Sequence, residues 1–132
     1  MKVATLIARI LLGLLFTVLG AFGFIIVSGA VAPPPPPPGL ATNFMEVFFA
    51  SRWVLFVDGI QVISGLLLLT NRFVPLAIVM LGAVLFNVFV FHITMQPSGL
   101  PLPIVALVLW IVVARAYRSY LRPLFTANAV PE

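Results

Sequence analysis

The sequence predicts an all-α membrane protein: a single domain, residues 1–132, built as an antiparallel bundle of four transmembrane helices. Of its residues, 63% are hydrophobic and only 8% are charged, so too few polar side chains exist to cover a soluble monomer. The apolar residues fall into segments that are each near the length needed to cross a bilayer's hydrocarbon core. These segments are residues 3–31, 53–69, 73–94 and 103–121. The short connections between them leave no room for a second domain.

The chain contains no cysteine, which excludes disulfide exchange, thiol-based redox chemistry and any thiolate-held zinc or iron–sulfur cluster. Its single histidine, His92, cannot supply the paired axial ligands of a typical membrane cytochrome. The sequence also lacks a recognisable nucleophile or cofactor cradle. We therefore predict no metal site and no catalytic residue, and we favour a protein that is not an enzyme.

The basic residues are concentrated on one side of the four-segment arrangement. Six of the seven Lys and Arg residues fall on that side: Lys2, Arg9, Arg72, Arg115, Arg118 and Arg122. Under the positive-inside rule, that side faces the cytoplasm. We therefore predict a multi-pass protein of the bacterial cytoplasmic (inner) membrane with both termini in the cytoplasm. The proline-rich loop, residues 32–43, then faces outward, and the basic excess indicates topology rather than nucleic-acid binding.

The first segment is predicted to be a retained membrane helix rather than a cleaved signal peptide, because its apolar run is roughly twice the usual length of a signal core. Small residues recur along one face at helical spacing: Gly13, Thr17, Gly20 and Gly23. In lipid, small residues let helix backbones approach closely. We therefore predict that this stripe is a helix-packing seam, and a groove for a ligand is the alternative.

An unbroken run of six prolines, residues 33–38, follows the first segment. Proline cannot continue the helix, so the run forms a polyproline II rod roughly 19 Å long, at about 3.1 Å per residue. We interpret it as a stiff strut across the outer surface, and a docking rod for the aromatic groove of a partner is the alternative. Residues 44–52 predict a short interfacial helix before the second segment, with Trp53 at headgroup level.

The fourth segment ends in three arginines spaced i, i+3 and i+7: Arg115, Arg118 and Arg122. Basic side chains complement the negative end of a helix dipole and reach toward anionic headgroups. We predict that these arginines anchor the helix to lipid headgroups, with a specific binding site as the alternative. Membrane lipids are therefore expected partners.

Four polar residues lie in the outer half of the second and third segments: Asp58, Gln61, Asn87 and His92. Polar residues are costly inside a membrane, so each is a candidate functional residue. Asp58 and Gln61 share a helix face, whereas Asn87 and His92 diverge by about 140° around a regular helix. We interpret the set as interhelical hydrogen-bonding residues. A small polar pocket that holds a ligand headgroup is the alternative.

Several motifs resemble the DoxX family of small four-helix membrane proteins, over about residues 6–125. The most specific part is the hairpin between the second and third segments, which reads Gly65-Leu66-Leu67-Leu68-Leu69, then Asn71-Arg72-Phe73-Val74-Pro75-Leu76-Ala77, and continues to Asn87 and His92. The other matching stretches are Arg9-Ile10-Leu11-Leu12-Gly13-Leu14-Leu15-Phe16, Pro97-Ser98-Gly99-Leu100-Pro101 and Tyr117-Arg118-Ser119-Tyr120-Leu121-Arg122-Pro123-Leu124-Phe125. The resemblance implies a four-helix bundle and a loose association with quinone-linked oxidation.

The chain departs from the family pattern where members commonly carry an Asn-Lys pair late in the first helix and a Glu in the second. These positions align with Phe22-Gly23 and Gln61, so both charges are missing here. Losing both together avoids an uncompensated buried charge. We therefore predict a non-catalytic accessory or structural subunit, without a cofactor, that binds other membrane protein subunits. The alternative is a membrane subunit of a quinone-linked oxidoreductase that holds a quinone headgroup in the outer polar layer.

Overall fold

The computed structural model describes residues 2–132, in which all regular structure is helical. The α-helices follow in chain order as α1 (Val3–Val27), α2 (Leu40–Ala50), α3 (Trp53–Leu69), α4 (Val74–Met95), α5 (Pro101–Ala116) and α6 (Arg118–Leu121). Short 3-10 helices lie at Pro97–Gly99 and Arg122–Phe125. The prediction of an all-α protein is therefore confirmed for the described residues, none of which forms a β-strand.

Two of the helices, α1 and α4, are long and apolar enough to cross a membrane. The helices α3 and α5 are shorter, with 17 and 16 residues. Each is separated by a short break from a neighbouring helical segment at a steep angle: α2 meets α3 at 83°, and Arg118–Phe125 meets α5 at 85°. The described chain thus has two candidate membrane-spanning helices, or up to four if each bent pair counts as one span.

The helices α1, α3, α4 and α5 pack side by side around a shared apolar core. In this arrangement α1 and α4 each contact both α3 and α5. The α1–α3 pair is antiparallel, because Gly13 lies opposite Leu69 whereas Gly23 lies opposite Val54. The largest fully buried apolar side chains are Leu12 of α1, Leu68 of α3, Ile78 and Leu81 of α4, Val113 of α5 and, toward the other end of α3, Val54.

Hydrogen bonds hold three parts of the chain together at one end of this arrangement. The Arg9 guanidinium donates to the Leu68 carbonyl, which joins the start of α1 to the end of α3. The Tyr117 hydroxyl donates to the Asn71 Oδ1 at 3.1 Å, which joins the end of α5 to the α3–α4 turn. We call this the basic end. The six basic residues predicted to face the cytoplasm lie at the start of α1, in the α3–α4 turn, or at and after the end of α5. The proline run, α2 and Pro97–Gly99 lie at the opposite end.

Several helix boundaries differ from those predicted, and the three largest differences have identifiable causes. The first helix ends at Val27 rather than residue 31, because the chain turns at Gly29, which has a φ of 80° that favours glycine. The interfacial helix begins at Leu40, directly after Gly39 with a φ of 81°, so it takes up residues assigned to the proline-rich loop. The predicted fourth segment is divided, because Tyr117 leaves helical geometry and the chain bends there.

The outer surface of the helices is apolar. Large hydrophobic side chains stand exposed on every long helix, including Val18, Phe56, Phe86 and Val108. Exposed apolar area on this scale is costly in water but not in a hydrocarbon environment. The surface is therefore that of a membrane protein.

Candidate functional site

The small-residue stripe of α1 lies against α3. An ideal Cβ built on Gly20 would meet the Asp58 backbone oxygen at 2.7 Å and Val62 Cγ2 at 2.8 Å. One built on Gly13 would meet Leu69 Cγ at 2.9 Å and the Gly65 backbone oxygen at 3.0 Å. These distances are shorter than non-bonded contacts of a carbon atom allow. The backbones of α1 and α3 can therefore approach this closely only because Gly13 and Gly20 have no side chains.

The seam is reciprocal, since α3 contributes a glycine of its own. A Cβ on Gly65 would collide with the Thr17 hydroxyl and would lie 2.7 Å from the Gly13 oxygen. By contrast, Gly59 of α3 has nothing nearer than Phe24 Cζ at 4.0 Å. The close contact is therefore specific to one face of α3, and Gly59 lies outside it.

Asp58 and Gln61 form a buried pair beside this seam. Asp58 is 6% exposed and Gln61 is 9% exposed. The Gln61 side-chain amide donates to Asp58 Oδ1 at 2.8 Å, as their shared helix face predicts. The other carboxyl oxygen of Asp58 lies over Gly23, where any Cβ would collide with it. Because Gly23 has no side chain, the Asp58 carboxyl can occupy the space beside it.

A cavity of about 150 Å³ lies between α1, α3, α4 and α5 on the side toward the proline end. Its polar lining residues are Gln61 and His92, and the rest of its lining is apolar apart from backbone. His92 Nδ1 lies 2.8 Å from the Val88 carbonyl oxygen, which can only accept, so Nδ1 carries the hydrogen and donates it. The ring also packs against Gly99, where an added Cβ would collide with it.

Asn87 lies apart from the other three residues of the predicted polar layer. Its side chain is exposed and its amide donates to the Ala83 carbonyl at 2.9 Å, one turn earlier on its own helix. The angular divergence of Asn87 and His92 around α4 explains this separation. The structure therefore joins Asp58 to Gln61 by a hydrogen bond and places Gln61 and His92 on one cavity, and it leaves Asn87 on the outer surface. The interpretation of the four residues as interhelical hydrogen-bonding residues is wrong for the described bonds, because each of these bonds stays within α3 or within α4.

Arg9 is a buried residue whose structural role the sequence analysis missed. It is 5% exposed, its Nη1 donates to the Leu68 carbonyl, and its Nε has no hydrogen-bond partner among the described residues. Leu68 lies in the last turn of α3, where the helix dipole is negative, and its carbonyl also accepts the Asn71 backbone N–H at 3.3 Å. Arg9 therefore caps α3 from a neighbouring helix. This role could have been expected from the sequence, because Arg9 lies one turn before Gly13 on the packing face of α1.

The three arginines predicted as lipid anchors are all exposed at the basic end. Arg115 lies in the last turn of α5, and Arg118 and Arg122 follow the bend. Tyr117 and Tyr120 lie among them, with ring centroids 6.4 Å apart. Exposed cations beside aromatic rings are typical of a membrane–water interface.

The polar cavity has limited chemical capacity. An amide and an imidazole can hydrogen-bond a small polar group, and an imidazole can exchange a proton. Comparison with protein-family models, curated proteins and solved structures finds no match to this chain. The resemblance to the DoxX family therefore rests on the sequence motifs alone.

Proposed function

We propose that this chain is a DoxX-like integral membrane protein that serves as a non-catalytic accessory subunit of a larger membrane assembly. The observation that carries the proposal is the buried pair of Asp58 and Gln61. The one acidic side chain within the long helices is bonded inside the protein, beside a packing seam, rather than presented to a cavity. This bond lies within α3 and holds the Asp58 carboxyl in the space over Gly23 of α1, so it supports the packing of α3 on α1 and supplies no reactive group.

The proposal places all four long helices across the bilayer as an antiparallel bundle. A 17-residue α3 rises about 25 Å, slightly less than a hydrocarbon core of about 30 Å. The near-perpendicular α2 and the segment after α5 then lie in the two interfaces, where aromatic and basic residues are favoured. Phe44 of α2 supports this position, since its ring packs on Phe91 of α4 at a centroid distance of 5.2 Å.

The proposed location is a bacterial cytoplasmic membrane with the basic end in the cytoplasm. The six basic residues of that end orient the chain, and the arginines that follow α5 anchor it to anionic lipids. The partners are membrane lipids and other membrane protein subunits, which pack on the apolar outer surface. Nucleic acid is not among them.

The proposed topology predicts opposite results for reporters at the two ends. A green fluorescent protein fused after Glu132 should fluoresce, because the C-terminus lies in the cytoplasm, where that protein folds. Alkaline phosphatase inserted after Gly39 should be active, because that loop lies outside and nothing packs within 4 Å of a Cβ at Gly39. The reversed pattern, with a dark C-terminal fusion and inactive phosphatase, contradicts the topology.

A membrane subunit of a quinone-linked oxidoreductase is the second candidate function, and the cavity lined by Gln61 and His92 favours it. Its volume of about 150 Å³ suits one benzene-sized ring, and its two polar side chains suit a ligand with hydrogen-bonding oxygens. In this candidate His92 exchanges protons with a quinone or quinol headgroup.

The substitution His92→Gln separates the two functions. Under the accessory function, glutamine retains hydrogen-bonding capacity, so the folded protein should lose no more than about 1 kcal/mol, the net value of a typical hydrogen bond. The subunits that co-purify with it in mild detergent should be unchanged by mass spectrometry. Extractable quinone should be equal for the variant and the wild type.

The quinone candidate requires a different result for the same variant. A folded His92→Gln protein that still assembles but has lost bound quinone and quinone-dependent turnover contradicts the accessory function. Asn87→Gln is the matched control, because Asn87 lies on the same helix but outside the cavity. It should leave both assembly and quinone content unchanged under either function.

A further inference from the structure

The proline run is an exposed apolar segment outside the helices. Residues 33–36 and Pro38 are exposed, and only Pro37 is partly covered. Six successive prolines supply carbonyl acceptors without a single backbone N–H, so no hydrogen bond within the run holds its shape. Steric restriction of φ alone keeps it in the polyproline II conformation.

The polyproline II helix repeats every three residues, so the rod has three edges, formed by the pairs 33 and 36, 34 and 37, and 35 and 38. The protein engages one of them, because the Thr42 hydroxyl donates to the Pro37 carbonyl and Pro37 is the partly covered proline. The other two edges carry four prolines that are all exposed. Pro33 lines a cavity with Ile26 and Phe49, so the free apolar ridge is formed by Pro35, Pro36 and Pro38 and is about 12 Å long.

Two glycines with positive φ flank the rod: Gly39 follows it directly, and Gly29 lies four residues before Pro33. Gly29 and Gly39 have φ of 80° and 81°, and neither would meet a heavy atom within 4 Å if it carried a Cβ. The hydrogen bond from Thr42 to Pro37 spans Gly39 and holds that end of the rod beside α2. The rod therefore presents its exposed prolines as a preformed surface.

We propose that residues 33–38 form a docking rod for an extramembrane protein domain with a groove lined by tyrosine and tryptophan. Proline rings stack on aromatic faces, and the free carbonyls accept hydrogen bonds from Tyr hydroxyls and the Trp indole. The rod is already in its bound conformation, so binding orders few residues. This inference goes beyond the accessory function and does not depend on it, because it concerns a surface outside the helices.

The test uses the full chain in lipid nanodiscs and a purified WW domain that binds proline runs as the probe, with affinity measured by fluorescence anisotropy. The wild-type chain should bind saturably, and free hexaproline peptide should displace it. The variant Pro35→Gly/Pro36→Gly should bind at least about tenfold more weakly, a change of about 1.4 kcal/mol. The matched control Val130→Gly/Pro131→Gly alters the exposed C-terminal tail and should bind like the wild type.

A WW domain that binds the free hexaproline peptide but not the wild-type chain overturns the proposal, because the rod is then inaccessible. Equal binding by the wild type and Pro35→Gly/Pro36→Gly overturns it as well, because contact then lies elsewhere. Thermal unfolding of both variants in detergent accompanies the binding measurement. Loss of binding with an unchanged unfolding temperature supports docking. If the rod variant unfolds early, displacement of the wild-type chain by the peptide decides the question.

Discussion

Gly20→Leu should destabilise the protein more than Gly13→Leu. The first atom that its Cβ meets, at 2.7 Å, is the backbone oxygen of Asp58, which cannot move without shifting α3. Overpacking of this kind costs about 1–3 kcal/mol, and separation of the two helices costs more. Gly13→Leu should have a smaller effect in the same direction, because its nearest neighbour is the flexible Leu69 side chain. Thermal unfolding in detergent, followed by circular dichroism, measures both.

The matched control for this series is Gly59→Leu. It makes the same chemical change on α3, at a position where nothing lies nearer than 4.0 Å to the new Cβ. Because glycine is about 1 kcal/mol poorer than alanine in a helix, this variant should be as stable as the wild type or slightly more stable. Equal loss of stability at Gly20 and Gly59 contradicts the seam, as does no loss at either Gly13 or Gly20.

Gln61→Leu should also destabilise the protein strongly, for a different reason. Leucine nearly preserves the volume of glutamine, but it removes the amide that donates to Asp58 Oδ1 at 2.8 Å. A buried acceptor left without its donor costs about 1–3 kcal/mol. The expected result is a lower unfolding temperature in detergent. Adding Asp58→Leu should recover part of the loss, since removing both partners leaves no unpaired polar group.

Asn87→Leu is the control, because it replaces an amide on the neighbouring helix that is exposed and bonded only to its own helix at Ala83. Its effect on stability should lie within about 0.5 kcal/mol. Two amides that the sequence places in the same polar layer thus differ in their expected effects. If Asn87→Leu is the more damaging substitution, Asn87 and not Gln61 stabilises the assembled protein, and the site described above is wrong.

The sequence predicted those features that depend on one helix at a time. The second apolar segment was predicted over residues 53–69, and α3 lies at Trp53–Leu69, because Trp53 and the turn at residues 70–72 mark its ends. The pairing of Asp58 with Gln61 follows from a spacing of i, i+3 on one helix. The helical spacing of Gly13, Gly20 and Gly23 likewise predicted a single face before any neighbour was known.

Features that depend on how helices pack could not be predicted from the sequence. The cavity brings Gln61 of α3 beside His92 of α4 only because Pro97–Gly99 and α5 close over them. The exposure of Asn87 depends on the rotation of α4 about its own axis, which apolar residues on all sides of the helix do not determine. The end of α1 at Val27 was missed because an apolar run continues past it to residue 31.

Arg9 contributes first to the insertion of the chain and then to its folding, because its charge becomes buried when the helices pack. In the proposed topology its positive charge helps to retain the N-terminus in the cytoplasm while the chain is inserted, when the helices have not yet assembled. Once α1 meets α3, the same guanidinium is enclosed against the Leu68 carbonyl and no longer faces headgroups. The Arg9 charge therefore acts at two stages. It orients the nascent chain at the membrane surface during insertion, and after folding it acts only inside the protein, on the end of α3.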